Sequence, residues 1–290
     1  MSEPNTDTPS EAAPTIARVP DVVGVYGGGR MGAGIAHAFA TAGARVIVIE
    51  NTDETVAAAR ERIDASTSKS RSKGIEVPGT VVVDRDPTLL DEALLVVEAV
   101  PEIVELKQEV LASIAKHAPA ASIGTNTSAL SIDELAAALP RPQALIGLHF
   151  FNPVPVSELV EVVVGTHTDV KLVDVAKDWV TGLGKTAITV KDSPGFASSR
   201  LGVALALEAM RMVEDGVASA EDIDRAMTLG YRHPAGPLTT TDIVGLDVRL
   251  GIAEHLAAEI GERFTPPQIL KDKVAAGELG RKTGQGFYTW

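Results

Sequence analysis

A short apolar run, Val22–Tyr26, passes directly into Gly27-Gly28-Gly29-Arg30-Met31-Gly32, and a helix-period segment, Met31–Ala42, opens inside that loop. A second apolar run, Val46–Ile49, follows and ends on an acid, Glu50. A strand, a helix and a second strand in such close succession pack back on each other as a parallel pair with a right-handed crossover. Within the loop, Gly27 allows the tight turn, Gly29 lets a ligand approach the backbone, and Gly32 lets helix and strand pack closely. The free N–H groups and the positive dipole end of the helix then face an anion. G-x-G-x-x-G alone is a common turn. With this strand–helix–strand–acid context it predicts a dinucleotide pyrophosphate site, held by Gly27, Gly29, Arg30, Met31 and Gly32. Glu50 can accept the adenosine ribose hydroxyls and would repel a 2′-phosphate, so NAD is expected over NADP; the plainer reading of Glu50 is a surface acid or helix cap.

From Val22 to Val190 the alternation continues. Further strands are expected at Val81–Val83, Leu94–Val97, Ser122–Thr125, Leu145–His149, Val160–Val164 and Thr186–Val190. Helices are expected at Thr55–Ile63, Ile103–Ala115, Ile132–Leu139 and Val170–Leu183. Apolar strands separated by helices imply a mostly parallel sheet covered on both faces. After Asp192-Ser193-Pro194-Gly195 only helical patterns remain: Leu201–Val213, Ala220–Leu229, Val248–Glu259 and Pro267–Ala275. The expected fold is α/β, a Rossmann-type sheet domain over residues 21–191, followed by an all-α domain over 192–290. Residues 1–20 are polar and acidic with no apolar core, which reads as a disordered tail and not as a targeting segment.

Several function classes fall away on composition. The chain has no cysteine, so thiolate chemistry and Cys-ligated zinc are excluded. Its net charge of -13 disfavours nucleic acid and anionic membranes, and no stretch approaches a membrane span. A cytoplasmic enzyme is the expectation. One local reversal of charge, Lys69, Arg71 and Lys73 among serines, reads as a solvated loop unless the substrate carries phosphates. The remaining histidines, His37, His117, His167, His233 and His255, lie apart from acid clusters, and no metal site is expected.

His149 closes the run Leu145–His149 just before Phe150-Phe151-Asn152-Pro153, and Glu161 stands twelve residues later inside an apolar strand. A buried acid there needs a partner. A histidine with such a carboxylate has its tautomer fixed and its protonated form stabilised, as a general base requires. The competing reading of His149 is a strand-end histidine satisfied by backbone.

Taken in order, Met31-Gly32-Ala33-Gly34-Ile35-Ala36, Val97-Glu98-Ala99-Val100-Pro101-Glu102, Asn126-Thr127-Ser128, His149-Phe150-Phe151-Asn152-Pro153-Val154-Pro155, Asp192-Ser193-Pro194-Gly195-Phe196 and Arg281-Lys282-Thr283-Gly284-Gln285-Gly286-Phe287-Tyr288 resemble the L-3-hydroxyacyl-CoA dehydrogenases, including the bacterial 3-hydroxybutyryl-CoA enzymes. The resemblance implies hydride transfer between C3 of a 3-hydroxyacyl-CoA and NAD. His149 is then the base for the 3-hydroxyl, Glu161 its partner, and Ser128 a donor to the reacting oxygen. Glu102, Lys107 and Asn126 fall to the cofactor. Ser128 has an alternative as a helix cap, a task that Ser131 can take instead.

Two departures from the family pattern stand out. Ser199 in Ser198-Ser199-Arg200 replaces the usual Asn, whose amide polarises the substrate oxygen. Between Ile63 and Val81 the family's longer helical pair gives way to the Ser/Lys/Arg stretch, where Ser66, Lys69, Arg71 and Lys73 are expected to meet CoA phosphates as flexible charges. The resemblance also implies a homodimer through the helical domain, with Gly236–Gly245 at its interface. Two competing functions stay open: a β-hydroxyacid dehydrogenase acting on a substrate without CoA, which would want a lysine on the helix after Phe196, and a catalytically impaired NAD-binding homologue.

Overall fold

The computed structural model describes residues 18–290; all but the last three residues of the expected tail lie outside them. Eight strands form one sheet: β1 (Val22–Tyr26), β2 (Arg45–Ile49), β3 (Thr80–Asp84), β4 (Leu95–Glu98), β5 (Ser122–Thr125), β6 (Leu145–Phe150), β7 (Leu159–Val164) and β8 (Thr186–Lys191). Their order is β3-β2-β1-β4-β5-β6-β7-β8. Strands β1 to β6 are parallel, β7 runs antiparallel to β6, and β8 follows β7. The reversal has a local cause. Residues 151–158 hold no helix and are too few for a crossover, so the chain can only turn back on itself.

Alternate residues of each strand feed two cores. Val23, Val25, Leu95 and Val97 face α1 (Arg30–Thr41), α2 (Asp53–Ser72) and α5 (Val170–Gly182). Val96 and Ile123 face the other way, to α3 (Val104–His117) and α4 (Ile132–Ala136). Covering both faces of the sheet is what lets its strands be apolar throughout. His37 on α1 is a core histidine whose Nε2 lies 3.1 Å from Ser70 Oγ on α2.

The long α2 corrects one expectation. The Ser/Lys/Arg stretch is not a flexible loop but the C-terminal half of a continuous helix. Thr52 and Thr55 form a capping box, Asp53 and Glu54 occupy the first turn, and Lys69 and Arg71 the last. Those charges complement the helix dipole, and the next glycine is Gly74.

Past β8 come α6 (Ser198–Glu214), α7 (Ala220–Arg225), α8 (Pro237–Val244), α9 (Leu246–Ile260) and α10 (Gln268–Ala275), around a core of their own that includes Val203, Met210, Leu246 and Leu256. The segment expected as one helix over Ala220–Leu229 changes to a π-helical turn at Ala226–Gly230. Helix α8 was not expected, because Thr239, Thr240 and Thr241 are poor helix formers. Pro237 starts it, and Asp224 accepts the Leu238 and Thr239 N–H groups at its N-terminus. The C-terminal tail is pinned by buried Asp242, which accepts from Phe287 N, Tyr288 N and Trp290 Nε1, each at 2.9 Å. Among the described residues no helix is long and apolar enough to cross a membrane.

Candidate active site

The C-terminal ends of β1, β2, β4, β5 and β6 share one edge of the sheet, and β1 and β4 are neighbours that leave to opposite sides. A crevice at such a switch point is where α/β sheets bind ligands. Gly27 has φ +97° and donates its N–H to Ile49 O at 2.9 Å. A Cβ on Gly32 would lie 1.7 Å from Gly27 O, so only glycine closes the first turn of α1 against the loop. A Cβ on Gly29 would meet nothing within 4 Å, so the space before the helix N-terminus is open. Arg30 and Met31 begin α1; Met31 packs partly against the core and offers the crevice its backbone. Glu50, just past β2, accepts the Gly28 N–H and holds the loop to the second strand. An open helix N-terminus beside a strand-end acid fits the pyrophosphate and ribose of NAD.

Beneath the crevice lies a buried charge cluster. Glu98, fully buried at the end of β4, accepts from Val100 N, Lys107 Nζ and Thr125 Oγ1, each at 2.7 Å. Lys107 also donates to Val100 O and pairs with Glu102 Oε2 at 3.3 Å. Only 1 % of the Lys107 side chain is exposed. It holds Glu102. Glu102 Oε1 accepts Thr127 Oγ1 at 2.6 Å and the Ser128 and Ala129 N–H groups at 2.8 and 3.1 Å. Burial opposes ionisation of Glu102, but Lys107, Thr127 and the two amides outweigh it and keep the carboxyl below its usual range. Glu102 thereby fixes the loop that carries Ser128, with 36 % of its side chain still exposed. The helix-cap role falls to Ser131, whose hydroxyl accepts the Glu134 N–H. Asn126 Oδ1 accepts the Phe150 N–H at 2.9 Å, tying this loop to the strand end that bears His149.

His149 and Glu161 stand opposite each other in the β6–β7 register, with His149 Nδ1 2.6 Å from Glu161 Oε2. Glu161 is fully buried, while His149 keeps 9 % of its side chain exposed. The ring lies between Phe151 and Phe196, with centroids at 4.6 and 5.8 Å. Oε1 of Glu161 accepts the Ala197 and Ser198 N–H groups at 3.2 and 2.9 Å. Desolvation pushes the Glu161 pKa up; the bonds from His149 and Ser198 prevail and leave it lowered. The ionised carboxylate pairs with a proton-bearing Nδ1, and Nε2 makes no hydrogen bond among the described residues. Ser199 is half-buried in the same first turn of α6. Glu98 and Ser198 escaped the sequence reading. An acid ending an apolar strand signals Glu98, but nothing distinguishes Ser198 from Ser199 before the helix phase is known.

A cleft of about 420 Å³ opens between α2 and the β6–β7 connection. Ser66, Lys69, Ser70 and Lys73 line it, as do Arg30 and Arg62, facing Val154 and Pro155. Positions 62, 66, 69, 70 and 73 share one helical face. Arg71 lies off that face and does not line the cleft; Arg62, unforeseen, belongs to it by the same period.

A dinucleotide crevice with a histidine–carboxylate pair at its rim defines an oxidoreductase of the Rossmann class. Residues 22–193 match the family model for the NAD binding domain of 3-hydroxyacyl-CoA dehydrogenase, and residues 195–290 match the model for its C-terminal domain. The chain is 40% identical to a 3-hydroxybutyryl-CoA dehydrogenase of Mycobacterium tuberculosis, covering 92% of this chain and 98% of that protein. It is 38% identical to the mitochondrial hydroxyacyl-coenzyme A dehydrogenase of Mus musculus, over 92% and 90% of the two chains. The solved (S)-3-hydroxybutyryl-CoA dehydrogenase of Ralstonia eutropha superposes with a TM-score of 0.89 at 35% identity, over 93% and 99%. The chain belongs to the 3-hydroxyacyl-CoA dehydrogenase family. It is an NAD-dependent oxidoreductase of that family.

Proposed function

We propose that His149 is the general base for oxidation of the 3-hydroxyl of a short-chain 3-hydroxyacyl-CoA, and the general acid in the reverse reduction. The observation that carries this reading is the 2.6 Å bond from His149 Nδ1 to fully buried Glu161, which leaves Nε2 available for a substrate hydroxyl. Bound NAD supplies the hydride acceptor for C3. Gly27, Gly29, Gly32 and the first turn of α1 hold its phosphates, and Glu50 and Glu102 its riboses. His149 Nε2 takes the hydroxyl proton, and the imidazolium so formed is stabilised by Glu161. Ser128 donates to the same oxygen, where negative charge grows in the reduction direction.

The CoA arm lies in the cleft along α2, where Arg62, Lys69, Lys73 and Arg30 supply positive charge to a chain of net charge -13. Ser66 adds a hydroxyl at the same wall. Ser199 is the second donor near the reacting oxygen, shorter than the Asn the family pattern carries. Losing about 1–2 kcal/mol of transition-state hydrogen bonding there costs roughly 5- to 30-fold in rate. Ser199→Asn should therefore raise turnover on straight short-chain substrates, and unchanged turnover would refute this account of the slower site.

The chain divides functionally into a cofactor unit, residues 21–191, and a helical unit, residues 192–290, through which two copies pair. Exposed Leu201, Val244 and Val248 on α6, α8 and α9 support that pairing. NADH consumption with acetoacetyl-CoA and a series of longer 3-ketoacyl thioesters tests the activity. Short chains should give the highest kcat/KM, and His149→Gln should abolish turnover while leaving NADH binding intact. Turnover of the free 3-keto acid at the same rate would overturn the CoA reading.

A further inference from the structure

We infer that Ser198 is a positioning residue of the base, which fixes the Glu161 carboxylate and ties it to helix α6. Its hydroxyl donates to Glu161 Oε2 at 2.7 Å, the same oxygen that receives His149 Nδ1. Its N–H, with that of Ala197, donates to Oε1. Every donor that Glu161 receives is therefore His149 or the start of α6. The contact is reciprocal. Helix α6 has no side-chain cap of its own at Ala197, and Glu161, reaching across from β7, occupies that place. A carboxylate at a helix N-terminus is stabilised by the free N–H groups and the dipole.

The geometry gives the hydroxyl a task that the two amides do not perform. The amides hold Oε1 only, and a carboxylate's terminal torsion is a soft, broad one, so the position of Oε2 is sharpened by a donor of its own. The Ser198 hydroxyl is the second point on Oε2 and fixes the plane in which His149 Nδ1 is met. It also draws charge from that oxygen, so the imidazole meets an acceptor weakened by a second donor. Among the described residues the hydroxyl bonds to Glu161 alone, so it acts through that carboxylate. The strand acid, the base and the first turn of α6 consequently assemble together, and the base is in register only while α6 is docked on the sheet.

The inference rests on His149 acting as the base, so its test includes a readout that is independent of turnover. In the free protein the Nδ1 proton shared by His149 and Glu161 should give a low-field NMR resonance, identified by its loss in His149→Gln. Ser198→Ala should move that resonance further downfield, because the imidazole then has Oε2 to itself. The same variant should lower kcat about tenfold, the equivalent of one charge-assisted hydrogen bond, with the KM for acetoacetyl-CoA and the affinity for NADH unchanged. Ser198→Thr, which keeps the hydroxyl, should restore both. An unmoved resonance in Ser198→Ala would overturn the inference even if kcat falls. So would equal losses in kcat, NADH affinity and urea midpoint in both variants, which mark a structural role only. If His149→Gln keeps its turnover while the resonance still responds to Ser198, the base assignment fails and the positioning contact stands.

Discussion

Replacing Glu161 by Gln is the sharpest test of the histidine–carboxylate pair, because the amide has no orientation that suits its surroundings. The carboxylate accepts from four donors: the Ala197 and Ser198 N–H groups on Oε1, and His149 Nδ1 and the Ser198 hydroxyl on Oε2. If the amide oxygen keeps the two backbone N–H groups, its NH2 points at His149 Nδ1. Nδ1 must then accept, the proton moves to Nε2, and that nitrogen can no longer take the substrate proton. If the amide turns the other way, its NH2 meets two N–H groups that have no other acceptor, in a place closed to water. Each route forfeits charge-assisted bonds worth about 1.5–3 kcal/mol apiece, and the first also removes the charge that stabilises the imidazolium. A total of about 4–5 kcal/mol corresponds to a loss of roughly a thousand- to ten-thousand-fold in kcat. The assay is NADH oxidation by acetoacetyl-CoA at 340 nm under saturating conditions, with NADH affinity measured by fluorescence titration. Affinity should be unchanged, since Glu161 lies behind the histidine and away from the glycine loop. A kcat within tenfold of the parent protein would refute the reasoning, as it would mean that the carboxylate is not needed to fix the tautomer.

Charge reversal at Arg62, Lys69 and Lys73 should raise the KM for acetoacetyl-CoA roughly tenfold or more at low salt, whereas Arg71→Glu, off the cleft face, should leave it unchanged. Asp242→Ala strands the Phe287 and Tyr288 N–H groups and the Trp290 indole. It should cost about 2–4 kcal/mol by urea denaturation and release the tail, seen as a red shift in tryptophan emission. Acid stability follows from Glu161 and Glu102, whose folded pKa values are lowered against their surroundings' desolvation. Their contribution is complete above the unfolded glutamate value near 4.5 and is lost as pH falls through the depressed folded values. The denaturation midpoint should therefore drop steeply below about pH 4.5, and Glu161→Gln should flatten that slope.

The parts of the site that one strand or one helix carries by itself were legible in the sequence. The glycine loop, Glu50 and the pairing of His149 with Glu161 followed from local spacing and from the cost of leaving an acid unpaired in an apolar strand. The burial of Lys107 was not legible, because it sits in an ordinary polar helix pattern. What buries it is Glu98, at the end of a neighbouring strand. The cleft face of α2 was misjudged although its period was present, since serines weaken a helix pattern without breaking it and the capping box that starts the helix lies outside the basic run. Ser198 depended on helix phase. Two adjacent serines point in directions about 100° apart, and only the docked position of α6 decides which one meets Glu161.

Where an acid stands along its strand separates the roles of the acids in this sheet. Glu50 follows the last residue of β2, and Glu102 lies in the loop after β4; both reach the crevice at the carboxyl ends of parallel strands, where a ligand can meet them. Glu161 lies in the middle of β7, and a parallel β7 would reach that edge only with its own end. By turning back after residues 151–158, the chain sets the interior of β7 against the end of β6. The partner of the strand-end histidine can then be a fully buried acid, closed to water and substrate alike. An acid at a strand end would remain open to solvent and would exchange its bond to the histidine for bonds to water. The antiparallel turn, which departs from the parallel rule of the preceding strands, is therefore what gives His149 a partner that no ligand can displace.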